Sequence, residues 1–149
     1  MADTRRLAML KAVESYLDGV SKPTGLTVHR YAHRPIEKDN LPSLVIAHDG
    51  GQEIGDDVND LYENTDRVIL SVQCLGNQAE PPDDSIDPYL SWVLTALEAD
   101  PTLDGAVNGV DMLPTGKTEA AETDRIYVRI KQPVEVLYYH RRTDPESQV

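Results

Sequence analysis

Four histidines, one cysteine and a run of acidic residues are the side chains of this 149-residue chain that could do chemistry. His29 and His33 stand four apart, a spacing that on a helix would turn two imidazoles toward one metal. They fall instead where apolar and polar residues alternate, on a strand and its exit, and there the spacing loses that meaning. Asp56, Asp57, Asp60 and Glu63 carry enough charge for calcium but lack the ligand positions of an EF-hand loop, so they read as solvated charge. Asp83, Asp84 and Asp87 precede a second helix, where carboxylates meet the positive end of its dipole; that role outweighs paired acid–base work. The glycines from Gly50-Gly51 to Gly55 lack the Lys-Ser/Thr pair and the following helix of a phosphate cradle. Cys74 lies in an apolar alternating stretch and reads as a buried structural thiol, and a lone cysteine forms no intramolecular disulfide. No G-x-S-x-G, H-E-x-x-H or Walker A pattern is present. A catalytic centre needs a nucleophile, a base and an orienting group, or a coherent metal set. The expectation is a chain that is not an enzyme and uses no cofactor or metal.

The elements that carry these residues follow from periodicity. Leu7, Leu10, Val13, Tyr16 and Leu17 recur at helical steps from residue 4 to about 19, with Thr4 as N-cap and Gly19 as the stop. Leu26 to Tyr31 alternates as a short strand, and Pro35 to Asn40 breaks it. Leu44 to Ala47 is a second strand with Pro42 near its start. Asp49 to Asp66 is rich in Gly and Asp and reads as a long surface loop with at most a helical turn. Arg67 to Leu75 is the clearest strand, with Val68, Leu70, Val72 and Cys74 on one face. After a polar linker, Asp87-Pro88 opens a second helix with Leu90, Val93, Leu94 and Leu97 as its stripe, closed by Asp100-Pro101. Val107 to Leu113 suggests a fourth strand, and GKTEAAETD reads as a connection. Ile126, Val128, Ile130, Val134, Val136 and Tyr138 keep one parity along a long last strand, with a bend or bulge expected near Pro133. Residues 143–149 form a polar tail. The fold class expected is α+β: one domain over 1–149, an antiparallel or mixed β-sheet of four to five strands packed against two α-helices.

Charge is segregated along the chain. Residues 1–48 sum to +2, residues 49–124 hold 18 acidic and 2 basic side chains for −16, and residues 125–149 sum to +2. The acidic middle argues against wrapping nucleic acid, which needs a basic stripe. It fits basic protein partners or a passage lined to repel DNA. No apolar run approaches the roughly 18 residues that would span a bilayer. The opening MADTRRLAML lacks the apolar region of a secretory signal, so synthesis in the cytoplasm is the expectation. Extended residues near Val134 to His140, followed by Arg141-Arg142, could add to a neighbour's sheet edge or pack within their own subunit.

The layout resembles the tail terminator (tail completion or minor tail) proteins of long-tailed bacteriophages. The matching stretches are RLAMLKAVESYL, Leu41-Pro42-Ser43-Leu44-Val45, RVILSVQCLG, DPYLSWVLTALEADPTLDG and RIYVRIKQPVEVLYYHR, together about residues 4 to 142. Asp100-Pro101-Thr102-Leu103-Asp104-Gly105, followed by strands ending in Tyr-rich β structure, resembles the family's D-P-T-L-G-G-like ending. The resemblance implies a virion protein of the tail and neck, made in the host cytoplasm, that forms a ring of six copies. Such a ring caps the tail tube, ends polymerisation of the major tail tube protein and meets the head-side connector or stopper protein. DNA would pass through without specific binding, and no membrane is involved. Ring closure needs two different complementary faces on each subunit. Arg125, Arg129, Arg141, Arg142, Tyr138 and Tyr139 are the candidate inter-subunit contacts. Asp49, Glu53, Asp56, Asp57, Asp60 and Glu63 are the candidate acidic surface for a partner or DNA channel. Two other readings are another neck component (a stopper or connector-completion protein) and a small ligand-binding domain.

Overall fold

In the computed structural model the described residues are 4–30, 41–56 and 61–141, with backbone alone described for 53–56, 61–62 and 140–141. Helix α1 spans Arg5–Gly19, and Thr4 caps it through its hydroxyl, which accepts from the Leu7 N–H. Its buried positions are Arg5, Met9, Val13 and Leu17, four apart, so the inner stripe includes Met9, while Leu7 stays half-exposed. Strand β1 is Thr27–Arg30, β2 Ser43–Asp56 and β3 Leu61–Leu75. Helix α2 is Pro82–Ala99, and strands β4, β5 and β6 are Gly109–Met112, Glu119–Glu122 and Ile126–Arg141.

One mixed sheet of six strands results, in the order β1-β2-β3-β6-β4, with β5 also paired to β6. Only β1 and β2 run parallel; every other pairing is antiparallel. The α+β architecture with two helices on a mixed sheet is as expected, with one strand more than the sequence indicated. Both helices lie on the same face. Met9, Val13 and Leu17 of α1 and Ile86, Val93 and Leu97 of α2 share one core with Leu44, Ile46, Val68, Leu70, Val72, Val128, Val134 and Val136. The single parity kept along β3 and β6 delivers those side chains to the helices.

Three stretches differ from the sequence reading, each for a physical reason. The stretch 49–66 is not a long loop. β2 continues through a bulge between His48 and Gly51 to Asp56, and β3 begins at Leu61 opposite it. Composition concealed this pairing because Asn64 and Asp66 hold the inward positions an apolar residue would mark, and both are buried. Gly50 accommodates the bulge at φ +90°. Helix α2 begins at Pro82 rather than Asp87, so Pro88 lies inside it and Asp83 and Asp84 form its acidic first turn. Proline fits the first helical position because its missing N–H would be unpaired there anyway. GKTEAAETD contains β5, whose four residues are all exposed and show no alternation; backbone pairing to β6 holds it.

Pro133 produces no bulge, since the β3–β6 register is continuous from Leu61↔Arg141 to Leu75↔Tyr127. Its carbonyl accepts from the Leu113 N–H, so its missing donor points to the same side, away from β3. That side is where β4 ends, and the Leu113 carbonyl that a Pro133 N–H would have met accepts from the Gln132 side chain instead. Buried Gln132 secures the end of β4: its amide donates to the carbonyls of Leu113 (2.7 Å) and Pro133 (2.8 Å) and its oxygen accepts from Thr115 Oγ1.

Candidate functional site

The six proposed contact residues do not share one environment. Tyr138 is 3% exposed and belongs to the core, so it offers no surface to another subunit. The same parity that marked it as apolar-facing puts it under α1. Tyr139 points to the opposite face of the sheet and is half-buried, across from Glu63 of β3. Arg125 is exposed in the β5–β6 turn, and Arg129 donates to Glu119 of β5 at 2.6 Å. That bond, with the charge of Arg129, holds the Glu119 carboxyl below its ordinary range. Arg141 ends β6 opposite Leu61, with only its backbone described, and Arg142 lies outside the described residues.

Four of the six acidic candidates, Asp49, Glu53, Asp56 and Glu63, lie on the paired strands β2 and β3 rather than in a loop. Asp49 is exposed and ion-paired with Arg67 (3.3 Å). Glu53 and Asp56 sit on β2 opposite Asn64 and Leu61, with only their backbone described. Glu63 lies half-buried on β3, and Asp57 and Asp60 lie outside the described residues. Of the other candidates, His29 Nε2 is 2.8 Å from Thr27 Oγ1, while His33 lies outside the described residues. No three His, Cys, Asp or Glu side chains converge to hold a metal ion among the described residues. Cys74 is buried, and burial first, then Glu80, pushes its thiol up to about 11.

The most tightly built polar centre is one that sequence reasoning missed. Asp66, 2% exposed, sits on the inward face of β3 where three elements meet. Its Oδ2 accepts from His48 Nε2 of β2 at 2.7 Å and from the Tyr138 hydroxyl of β6 at 3.1 Å, and Arg6 Nε of α1 stands 3.7 Å away. The Gly50 N–H donates to His48 Nδ1 (3.3 Å), which places the ring proton on Nε2, directed at Asp66. Both imidazole nitrogens are thereby engaged, and His48 orients the Asp66 carboxylate. Gly51 lies against the same group, and a Cβ there would collide with Asp66 Oδ1. Arg5 stacks over the Tyr138 ring with its guanidinium carbon 5.9 Å from the centroid, and burial lowers the pKa of Arg5. Burial also pushes the Tyr138 phenol far up, and the Asp66 carboxylate adds to it. The sequence signal was present: Asp66 extends the inward parity of Val68, Leu70 and Val72 by one step. A carboxylate on a core face requires buried partners.

The second feature is the surface of α2 and the turn after it. From Gly76 to Gly116 the chain holds eight acidic residues and no basic one. Asp83, Asp84, Asp87 and Glu98 on α2 are exposed, as is Asp104. In the turn, the Asp100 carboxylate accepts from Thr102 Oγ1 (2.5 Å), Thr102 N–H (3.1 Å) and Asp104 N–H (2.9 Å). The Thr102 hydroxyl bond and then the Asp104 N–H hold its carboxyl low. These bonds support Leu103 and Asp104 at positive φ (52° and 60°) and turn Leu103 into the core at 2% exposure. An open groove of about 460 Å³ runs between this turn and α1, lined by Ala12, Tyr16, Asp100, Leu103 and Asp104 among others. Tyr16 closes its floor by donating to the Ala96 carbonyl at 2.6 Å.

Compared with known proteins, the chain matches no model of a protein family and no curated protein. Among the described residues, no helix is long and apolar enough to cross a membrane.

Proposed function

We propose that this protein is a structural subunit of a phage tail: a tail terminator whose copies form a ring, six to a ring, that caps the tail tube. The observation that carries this reading is the run Asp100-Pro101-Thr102-Leu103-Asp104-Gly105 between the second helix and strands that end in Tyr138-Tyr139, the ending that resembles the terminator family. In this chain the run is a tight turn pinned by Asp100 that carries Leu103 into the core. The ring ends polymerisation of the major tail tube protein and presents its other side to the head-side connector. Acidic residues of the central segment face the passage, where like charge lets DNA slide without adhering.

Support for assembly over catalysis comes from what the polar centre does. Asp66 accepts from His48 and Tyr138, which ties the hairpin to β6, and Arg6 of α1 forms an ion pair with it. Those bonds make a rigid joint. The test is tube growth. Purified tube protein polymerised with a substoichiometric amount of this chain gives shorter tubes, with mean length falling as the chain is added. Tubes whose length distribution is unchanged at every ratio contradict the proposal.

A further inference from the structure

The open groove of about 460 Å³ between α1 and the turn after α2 combines an apolar floor with negative charge that nothing in the fold offsets. Ala12, Gly19 and Val20 line it from the α1 side and Leu103 from the turn. Ser15, Tyr16, Asp100 and Asp104 supply its polar groups, and among the described residues no basic side chain lines it. The Asp100 carboxylate is committed to the turn, accepting from the Thr102 hydroxyl and from the Thr102 and Asp104 N–H groups. The exposed Asp104 carboxylate makes no hydrogen bond or ion pair within the described fold. Burial first, then Asp100 and Asp104, push the Tyr16 phenol above its ordinary range, so both carboxylates act on the same floor residue. Helix α2 ends beside them with Glu98 exposed in its last turn and no basic residue there, and the negative end of its dipole adds to the field. The cations of α1 and its exit are engaged elsewhere: Lys22 pairs with Asp18, and Arg5 donates to the Ala106 carbonyl from within the core (3.4 Å).

We propose that this groove docks a basic segment of another protein, seating one arginine or lysine side chain with its stem on the apolar floor and its cationic head beside Asp104. Charge and shape both select that occupant. A floor of small and apolar residues rimmed by carboxylates fits a side chain that is apolar along its length and charged at its tip. DNA brings charge of the same sign as the groove. A calcium ion takes six to eight oxygen ligands, and the groove offers two carboxylates, of which Asp100 already holds three donors. The inference stands apart from the ring reading, because the groove is complete within one copy and its occupant is a different protein.

The experiment is an NMR titration of the isotope-labelled chain with a decapeptide of alternating arginine and alanine, at low salt where screening is weakest. The amides of Gly19, Val20, Leu103 and Asp104 shift and saturate as the peptide is added, and added salt weakens the binding. A decapeptide of alternating glutamate and alanine leaves them in place. Asp104→Asn removes the unpaired charge at a position, φ 60°, whose left-handed backbone asparagine tolerates, and it weakens binding about threefold. Adding Glu98→Gln brings the loss to about tenfold. Gly19→Leu, where an added Cβ meets nothing within 4 Å, fills the groove and abolishes the shifts, while circular dichroism confirms that the fold is kept. Groove amides that do not move, or Gly19→Leu and Asp104→Asn chains that bind the peptide like the unaltered one, overturn the contact. Calcium chloride or a short DNA duplex that moves the same amides at lower concentration than the peptide overturns the choice of occupant. None of these results touches tube capping, which the polymerisation experiment decides separately.

Discussion

Removing the Asp66 carboxylate destabilises the fold by an amount that follows from the geometry. In Asp66→Ala the Tyr138 hydroxyl, on a residue 3% exposed, loses its acceptor inside the core. A buried donor left unpaired costs about 1–3 kcal/mol. His48 loses its 2.7 Å partner but keeps some access to water, with 20% of its side chain exposed, so its share is smaller. Arg6, 63% exposed and 3.7 Å away, contributes close to nothing, as exposed ion pairs do. The total is about 3 kcal/mol, at the lower end of what breaking a buried charged pair costs. For a chain of this length that lowers Tm by about 6–12 °C. Tyr138→Phe alone costs about 1 kcal/mol, since Asp66 retains His48. In the double variant no hydroxyl is stranded, so its cost falls short of the sum by about 1–2 kcal/mol. Urea unfolding followed by circular dichroism, in salt high enough to suppress association, measures all three. An Asp66→Ala loss below about 1 kcal/mol, or strict additivity in the cycle, refutes the assignment of Asp66 as the joint between the β2–β3 hairpin and β6.

Three further outcomes follow from the same structure. The Tyr138 phenol, raised by burial and by Asp66, ionises later than an ordinary tyrosine in an ultraviolet alkaline titration. A raised folded-state pKa means its stability contribution is intact below the ordinary value of about 10 and is lost as pH rises through the folded value, and Tyr138→Phe flattens that alkaline loss. Gly51→Ala drives a methyl group into the Asp66 carboxylate and lowers stability by about 1–3 kcal/mol in the same urea assay, whereas Gly19→Ala, with open space around it, does not. Cys74, buried with its thiol pushed up to about 11, reacts with a disulfide reagent only slowly in the native chain and rapidly after unfolding; fast native labelling would contradict its packing.

The parts of the fold legible in the sequence are those where apolar residues repeat. The even parity of Val68 to Cys74 and of Ile126 to Tyr138 identified β3 and β6, and the helical steps from Leu7 to Leu17 identified α1. Elements held by backbone pairing left no such pattern. The outer half of the β2–β3 hairpin carries polar residues on its inward face, and β5 is Glu-Ala-Ala-Glu on an exposed margin. The start of α2 was obscured by two prolines and two aspartates, which read as a turn but equally suit a first helical turn. At the candidate site, the totals of charge were legible, while their placement across the subunit was not. Which strands lie at the margins depends on β6 inserting between β3 and β4, a long-range pairing that local pattern does not encode.

The measurement closest to the central claim is electron microscopy of tail tubes assembled in the presence of the chain. The account predicts a sixfold ring of this protein at one end of each tube, with an open centre wide enough for DNA. Tubes that end bare while the chain stays in solution, or subunits scattered along the tube wall, would contradict it.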